Sequence, residues 1–497
     1  MSDLHIYNSY TRQKEKFEPI VKDHVGMYVC GPTVSGESHM GHARPYITFD
    51  VVYRYLTHLG YKVRYVRNIT DAGHFEEEGR EAQDKVSEKA QLERLEPMEL
   101  VQKYSNLFHW GMRLFNNIDP NIEPTATGHV IEQISMIQKI MDEGFAYEQN
   151  GSVYFDVKKY AEAYPYGKLS GRKIDELLET TRDLDGQDEK RNKVDFALWK
   201  KAPPQHIMRW ASPWGEGFPG WHIECSAMSS KYLGKEFDLH GGGMDLQFPH
   251  HESEIAQSTI AHGCAPARYW MHNNMITING KKMGKSYNNV IKITELFSGD
   301  HPMLEQAYHP MVVRFNILQT HYRSTLDFSN ESLQASEKAF RRLWDAYEVL
   351  QKLEPGTNDN AGDKELNEKV TKWCNECADF MNDDMNTAKV IANLFEMAPV
   401  INGIKGGQVS KEALSADTYK LMLSTFDTYL VEVLGMKPLQ VQQDNKIDQV
   451  LSLLIEIRND ARTRKDYATS DLIRNKLTEA GVMLKDEKDG SVSYTIE

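Results

Sequence analysis

The feature that most constrains the fold is a strand, a loop, a helix and a second strand within the first 70 residues. Residues 27–31 have the apolar character of a short buried strand, and a loop covers 32–41. A helical pattern runs from about Pro45 to Leu59, Gly60 ends it, and 62–69 alternates like a strand. A β-loop-α-β unit of this kind opens a doubly wound fold. The sequence therefore predicts an α/β, Rossmann-type domain.

The length of the chain predicts several domains. At 497 residues it exceeds the size at which a single hydrophobic core stops growing. Mixed patterns after residue 120 indicate a subdomain inserted between the two halves of the Rossmann-type domain, and the chain after Val290 has a strongly helical pattern. The expected parts are the first half of the Rossmann-type domain at 1–120, an inserted connective subdomain at 121–205, the second half at 206–275, a lysine-containing loop with the region beyond it at 276–340, a helical bundle at 341–436 and a small C-terminal α+β module at 437–497.

Composition excludes several classes of protein. Hydrophobic residues make up 40% and charged residues 26%, as in ordinary globular proteins. No run of apolar residues is long enough for a membrane span, and residues 1–11 lack the features of a signal peptide. Five cysteines are too few, and odd in number, for a disulfide framework, so a reducing cytoplasm is expected. The net charge of −14 means that an RNA partner would need a local basic surface.

Four residues of zinc-ligand types are spread over separate segments of the chain, namely Cys30, Cys225, His250 and Glu254. His250 and Glu254 are four residues apart, so on a helix they project from the same face. Zinc accepts sulfur, nitrogen and oxygen donors, and thiolates favour it over magnesium or calcium. Spacing alone leaves the alternative that these are buried structural cysteines and a capped histidine.

The other three cysteines give weaker signals. Cys374 and Cys377 form a CxxC within a helical, amphipathic stretch that has neither a second CxxC nor a histidine pair after it. A redox or zinc role is therefore not expected. Cys264 is expected to be a small buried residue.

Three further motifs are of types that handle phosphates and nucleotides. His39-Met40-Gly41-His42 leads into a helix, whose N-terminus favours an anion. Lys282-Met283-Gly284-Lys285-Ser286 is a basic loop that can close over a triphosphate, although a basic surface turn is the alternative. Gly241-Gly242-Gly243 follows a predicted strand at 236–240 and allows close approach of a ligand, while Asp245 can accept from ribose hydroxyls.

Along almost its whole length the chain resembles the cysteinyl-tRNA synthetases, which are class I aminoacyl-tRNA synthetases. The matching segments are YVCGPTV, HMGHAR as the HIGH motif, YVRNITD, DFALWK, GWHIECSAM, DLHGGGMDLQFPHHESEIAQS, KKMGKS in place of KMSKS, and ARTRKDYATSDLIRNKL. Two departures stand out. Gly284 replaces the first serine of KMSKS, and Ser35 with Glu37 makes the loop before HMGH more polar than usual.

The resemblance implies a two-step ligation of cysteine to tRNA through a cysteinyl-adenylate. It implies one zinc ion per chain, which binds the substrate thiol and gives selectivity over serine, and Mg²⁺ with ATP. The residue roles it implies are zinc ligands at Cys30, Cys225, His250 and Glu254; substrate contacts at Thr70, Trp221 and His240; adenylation at His39, His42, Lys282 and Lys285; and adenosine contacts at Gly243 and Asp245.

The implied partners are L-cysteine, ATP and tRNA(Cys), in a cytoplasmic monomer without membrane contact. Residues 458–476 contain six basic and three acidic side chains, a local excess of positive charge in an acidic chain. A basic surface of this kind can bind the phosphate groups of an RNA backbone. The candidate anticodon-binding residues of the C-terminal module are Arg458, Arg462, Arg464 and Lys465, with a solvated helix face as the alternative.

Three other functions compete with this interpretation. The cysteine ligases of mycothiol biosynthesis share the catalytic core but lack an anticodon module. The helical region after Asp327 and the basic C-terminus of this chain therefore disfavour that interpretation. A zinc hydrolase is a possible interpretation of His250, His251 and Glu254, but HExxH is absent and the other motifs would have no role. A non-catalytic zinc- and RNA-binding protein is the third alternative, and cysteine-dependent pyrophosphate exchange would exclude it.

Overall fold

The computed structural model of the protein describes nine stretches of the chain, which are 3–72, 89–90, 95–173, 189–204, 206–284, 287–353, 362–439, 445–486 and 492–496. The chain divides into two compact units, Met1–Lys437 and Pro438–Glu497. Among the described residues, no helix combines the length and apolar character needed to cross a lipid bilayer.

A four-stranded parallel sheet lies at the centre of the larger unit. Its strands follow the spatial order Ala267–Asn273, Phe237–Gly243, His24–Val29 and Lys62–Arg67. The predicted Rossmann-type class is therefore confirmed. The strand predicted at 236–240 continues through Gly243, because Gly241, Gly242 and Gly243 pair with the edge strand.

The helix that joins the last two of these strands begins earlier than predicted. It covers Met40–His58, whereas the sequence pattern placed its start near Pro45. The His39 side chain accepts a hydrogen bond from the Gly41 N–H at 3.1 Å, and the His42 side chain accepts one from the His39 N–H at 3.1 Å. Because this reciprocal capping satisfies backbone donors of the first turn, the helix can begin at polar residues that show no apolar period.

An antiparallel sheet lies within the chain between the two halves of the parallel sheet. Its strands, in spatial order, are Ala146–Gln149, Ser152–Phe155, Phe196–Lys201 and Gly217–Pro219. Phe155 and Trp199 of this sheet share a buried core with Ile137 of the helix Val130–Asp142. The last strand lies beyond residue 205, so the sheet extends past the predicted end of the inserted subdomain.

Other elements of the larger unit complete these layers. Its remaining strands are His5–Asn8, Gln13–Lys16, Ile276–Ile278, Lys281–Lys282 and Leu326–Phe328. Helices in its first 270 residues, besides those given above, are Pro97–Leu114, Val157–Ala163, Trp221–Leu233 and His250–His262, with 3-10 turns at Thr127–His129 and Met244–Gln247.

The chain after Val290 is largely helical, as predicted. The helices are Ile293–Ser298, Pro310–Leu318, Asn330–Lys352, Lys364–Asn382, Thr387–Lys405 and Ala416–Thr425, followed by a π-helix at Phe426–Val433, with a 3-10 turn at Lys411–Ala413. Cys374 and Cys377 are buried on the fourth of these helices. Cys264 is only half-buried, which corrects the expected burial, because it follows the exposed glycine that ends the helix His250–His262.

The smaller unit has the predicted α+β composition. It consists of the helices Asn445–Thr463 and Tyr467–Glu479 and an antiparallel pair of strands, Val482–Asp486 and Val492–Ile496. Leu451, Leu477 and Val482 form its buried core.

One fully buried arginine joins the Met40–His58 helix to the helical region. Arg314 donates to the carbonyl oxygens of Leu434 at 2.7 Å and Phe115 at 2.9 Å, to Asn117 Oδ1 at 2.8 Å, and to the carboxylate of Asp50 on the Met40–His58 helix. These bonds connect three distant parts of the chain through one side chain.

Candidate active site and metal centre

The residues predicted to form the site lie where the strands of the parallel sheet end. Cys30 follows the strand His24–Val29, Thr70 follows Lys62–Arg67, and Gly243 ends Phe237–Gly243. In open α/β sheets, ligands bind at the carboxyl ends of the strands. The fold therefore brings segments more than 200 residues apart in the chain to the edge at which a ligand is expected.

Cys30, Cys225, His250 and Glu254 form one buried cluster. The two sulfur atoms are 3.7 Å apart, and Cys30 Sγ lies 3.7 Å from Glu254 Oε1. His250 Nε2 lies 3.2 Å from the same Glu254 oxygen. The four ligand atoms all lie within 4.8 Å of one another. The predicted pairing of His250 with Glu254 on one helix face is realised, and the two thiols arrive from other elements.

These separations fit a zinc ion. Ligands at the usual zinc distances stand about 3.8 Å apart for two sulfurs and about 3.4 Å apart for nitrogen and oxygen in a tetrahedron. A second set of four, Cys30, His240, His251 and Glu254, is also close together. In this second set His240 Nε2 lies 2.9 Å from Glu254 Oε2, His251 Nε2 lies 3.9 Å from Glu254 Oε1, and Cys30 Sγ lies 3.2 Å from His251 Nε2. The set with two thiols has the donor types that favour zinc most strongly.

Burial shifts the pKa values of the two thiols of the cluster and of His251 beside it. Burial raises the pKa of the Cys30 and Cys225 thiols above the ordinary range. Burial also lowers the pKa of His251 well below its usual value, with the charges of four neighbouring histidines acting in the same direction. A divalent cation would favour thiolates and neutral imidazoles, which are the ligand forms of these side chains.

A shell of histidines around the cluster was not predicted. His222 Nδ1 lies 2.9 Å from His250 Nδ1, and His251 Nδ1 lies 2.8 Å from His272 Nε2. His272 Nδ1 in turn lies 2.8 Å from Ser9 Oγ. These histidines come from three segments, and no regular spacing relates them. Only the fold could reveal their proximity.

The three predicted substrate contacts lie close to the cluster. The Trp221 ring is 4.4 Å from the His250 ring, centre to centre. Thr70 Oγ1 donates to Glu224 at 2.9 Å. His240 stacks on Trp270 at 4.4 Å, and its Nε2 lies 2.9 Å from Glu254 Oε2. His240 therefore contacts a candidate zinc ligand and is suited to hold the Glu254 carboxylate in place.

The two histidines of HMGH are set as neutral donors. Their Nδ1 atoms accept the backbone hydrogen bonds that cap the helix, so the proton of each neutral ring resides on Nε2. Burial, together with the neighbouring His39, lowers the pKa of His42 to about 3. The rings stack with their centres 4.0 Å apart. Two N–H groups beside a helix N-terminus are suited to donate to phosphate oxygens.

The described part of the KMGKS loop adjoins HMGH. A Cβ atom placed on Gly41 would lie only 2.7 Å from Met283 Cε, so the Met283 side chain packs directly on Gly41. Asn289 spans the loop, accepting from the Gly284 N–H at 2.9 Å and donating to the Lys282 carbonyl at 3.0 Å. Lys282 itself is exposed, and the predicted Lys285 lies outside the described residues.

Gly41→Ala is expected to reduce cysteine-dependent pyrophosphate exchange by about 10- to 100-fold while zinc content stays unchanged. The new Cβ would also lie 2.9 Å from His39 Cε1, so the His39 ring must move, and small misplacements of catalytic groups have costs of this order. Steady-state exchange kinetics measure the effect. Gly36→Ala is the matched control, because a Cβ there meets no atom within 4 Å. Equal activity of the two variants would contradict the prediction.

Among the predicted adenosine and RNA contacts, Gly243 is half-buried, Arg458 is buried, and the others are exposed. Asp245 is exposed in the 3-10 turn that follows Gly243. Arg462, Arg464 and Lys465 are exposed in the smaller unit. Arg458 is buried, which corrects the prediction that it forms part of an exposed basic surface, because it lies on the inward face of its helix.

Comparison with known proteins adds an independent line of evidence. The family model described as tRNA synthetases class I (C) catalytic domain matches residues 16–338, and the DALR domain model matches 378–440. A cysteine--tRNA ligase of Bacteroides thetaiotaomicron is 58% identical over 492 residues, covering 98% of each chain. The protein of the same name from Porphyromonas gingivalis is 54% identical over 491 residues, again covering 98% of each chain.

Solved structures with low sequence identity share the fold. The LeuRS of Agrobacterium radiobacter, in a complex with tRNA and LeuAMS, has a TM-score of 0.58 at 12% identity, covering 85% of this chain and 86% of that one. The methionyl-tRNA synthetase of Mycobacterium tuberculosis in complex with methionyl-adenylate has a TM-score of 0.57 at 13% identity, covering 83% and 89%.

Proposed function

The chain belongs to the class I cysteine-tRNA ligases, and from this membership we propose that its buried cluster binds zinc to select cysteine. As a member of the family the protein is an enzyme that attaches cysteine to tRNA in an ATP-dependent reaction. The single observation that carries the finer proposal is the spacing of four buried donors, Cys30, Cys225, His250 and Glu254, which fits tetrahedral zinc.

Selectivity for cysteine over serine is assigned to the metal centre. Zinc held by these residues would take the substrate thiol as a thiolate, for which an alcohol is a poor and harder substitute. The chain's own contribution is to hold the donors in a dry pocket. Glu254 accepts from His240 on one oxygen and faces Cys30 and His250 with the other. It is our candidate for the ligand that yields when cysteine binds.

Adenylation is assigned to positioned donors rather than to a protein nucleophile. The cysteine carboxylate oxygen forms a bond to the α-phosphorus of ATP, the bond to the bridging oxygen breaks, and pyrophosphate leaves. In the second step a ribose hydroxyl of tRNA attacks the acyl carbon and AMP leaves. His39 and His42 offer N–H groups to the phosphates, beside the helix N-terminus. We assign Lys282 and Lys285 to neutralising the negative charge of the same phosphates, with Mg²⁺ accompanying ATP. We assign Gly243 and Asp245 to contacts with the adenosine.

The tRNA contacts are proposed for the exposed basic residues of the smaller unit. Arg462, Arg464 and Lys465 remain candidates, although Arg464 also pairs with Asp460 at 2.6 Å. Such contacts with phosphates should weaken as salt increases. The division of the chain into six parts remains a prediction.

ATP-pyrophosphate exchange with cysteine and with serine tests the proposal. Zinc-replete protein is expected to exchange with cysteine only and then to charge a purified cysteine tRNA. Exchange without charging would favour a ligase that acts on a small molecule. Absence of exchange in protein whose zinc content has been verified would contradict the proposed function.

A further inference from the structure

We propose that Glu224 and Asn68 are positioning residues that set the Thr70 hydroxyl as an acceptor for the α-ammonium group of the substrate. The inference rests on the proposed function, in which Thr70 contacts the amino acid. Neither Glu224 nor Asn68 is among the candidate zinc ligands or the phosphate-handling motifs, but Asn68 Oδ1 lies 3.6 Å from Cys225 Sγ, so zinc content is measured in every variant. All three side chains are buried at the carboxyl edge of the sheet, with at most 1% of their surface exposed.

A chain of hydrogen bonds fixes the Thr70 side chain from two sides. Thr70 Oγ1 donates to Glu224 Oε2 at 2.9 Å and accepts from Asn68 Nδ2 at 3.1 Å. A hydroxyl has one donor and two acceptor lone pairs. Its donor and one lone pair are therefore occupied, and towards a ligand it can only accept. Among the groups of a free amino acid, the α-ammonium is the strong donor.

Asn68 is itself held rigidly. Its Oδ1 accepts from the Gly31 N–H at 2.8 Å and from the Tyr28 hydroxyl at 3.1 Å. The backbone passes so close that a Cβ on Gly31 would lie 1.4 Å from the Asn68 carbonyl oxygen, so only glycine is tolerated there. The amide therefore presents Nδ2 to Thr70 in one orientation.

The hydrogen bond to the carboxyl group of Glu224 decides which end of the substrate Thr70 can bind. Because the Thr70 hydroxyl donates its proton to Glu224 Oε2 at 2.9 Å, it cannot donate that proton to a substrate carboxylate, and its remaining lone pair is left for a donor. A neutral hydroxyl without that support would serve a carboxylate or an ammonium equally. Glu224 thus acts through Thr70 and favours the ammonium end of the substrate.

A double-mutant cycle of Glu224→Gln and Thr70→Val tests the proposal by pyrophosphate exchange. E224Q keeps the shape and is expected to raise the KM for cysteine about tenfold, as for loss of a charge-assisted bond, with the KM for ATP and the zinc content unchanged. T70V should raise the KM at least as much, and the double variant no further, because one residue acts through the other. Asp195→Asn, another buried carboxyl group that lies in the antiparallel-sheet region, is the control and should leave the KM for cysteine unchanged.

The outcomes separate this proposal from the proposed function. Failure of zinc-replete wild-type protein to exchange would overturn both. With an active wild type, a normal KM in E224Q, effects that multiply in the double variant, or loss of zinc from E224Q would overturn the positioning role alone. A purely structural role would lower kcat through loss of folded enzyme and leave the KM for cysteine unchanged. If E224Q does not fold, Asn68→Asp replaces it, since it removes the Nδ2 donor, and the same cycle with T70V applies.

Discussion

Cys225→Ser is expected to remove zinc and cysteine-dependent exchange together. The Cys225 sulfur lies 3.7 Å from that of Cys30, and both thiols are buried in the same cluster. A serine hydroxyl is a much poorer zinc ligand than a thiolate. Loss of a residue that merely supports a ligand lowers metal affinity by about 10- to 100-fold, so loss of a ligand should exceed that range. Metal analysis of the purified variant and exchange kinetics with cysteine measure the two effects.

The control for this experiment is Cys264→Ser. Cys264 is half-buried and lies outside both sets of candidate ligands, so the same chemical change there should leave zinc stoichiometric and exchange unaltered. Stoichiometric zinc in Cys225→Ser would instead refute Cys225 as a ligand and direct attention to the alternative set with His240 and His251. Circular dichroism of both variants establishes that they are folded.

The metal site could be predicted from the sequence only in part. His250 and Glu254 share a helix face, and the 3.6-residue period alone predicts their proximity. Cys30 and Cys225 are separated by 195 residues, and no spacing rule relates them, so their assignment rested on the family resemblance. The contacts of His251 with His272 and of His250 with His222 were not predicted, because only tertiary packing brings these side chains together.

The fold was predictable where local patterns are strong. Apolar strands, turn residues and helical periods gave the parallel sheet and the helical region. The start of the Met40–His58 helix was misplaced because two histidine side chains cap it, and histidine is not among the usual capping residues. The burial of Arg458 was not foreseen because charge alone does not reveal which face of an amphipathic helix is inward.

Arg314→Met is expected to destabilise the larger unit by about 3–5 kcal/mol, the usual range for breaking a buried ion pair. Arg314 is fully buried, and its removal would leave the Leu434 and Phe115 carbonyls without this donor and the Asp50 carboxylate with one cation fewer. Burial already lowers the pKa of Arg314, so the network must offset a substantial desolvation penalty. Urea unfolding followed by tryptophan fluorescence measures the loss.

Arg341→Met separates the effect of burial from the effect of losing an arginine. Arg341 pairs with Glu337 at 2.7 Å, but its side chain is 59% exposed, and exposed pairs contribute at most about 1 kcal/mol. Its variant should therefore unfold near the wild-type midpoint. Because Asp50 lies on the helix that begins at HMGH, Arg314→Met should also reduce exchange activity before global unfolding, whereas Arg341→Met should not. Equal midpoints for the two variants would mean that the buried network contributes no more to stability than a surface pair.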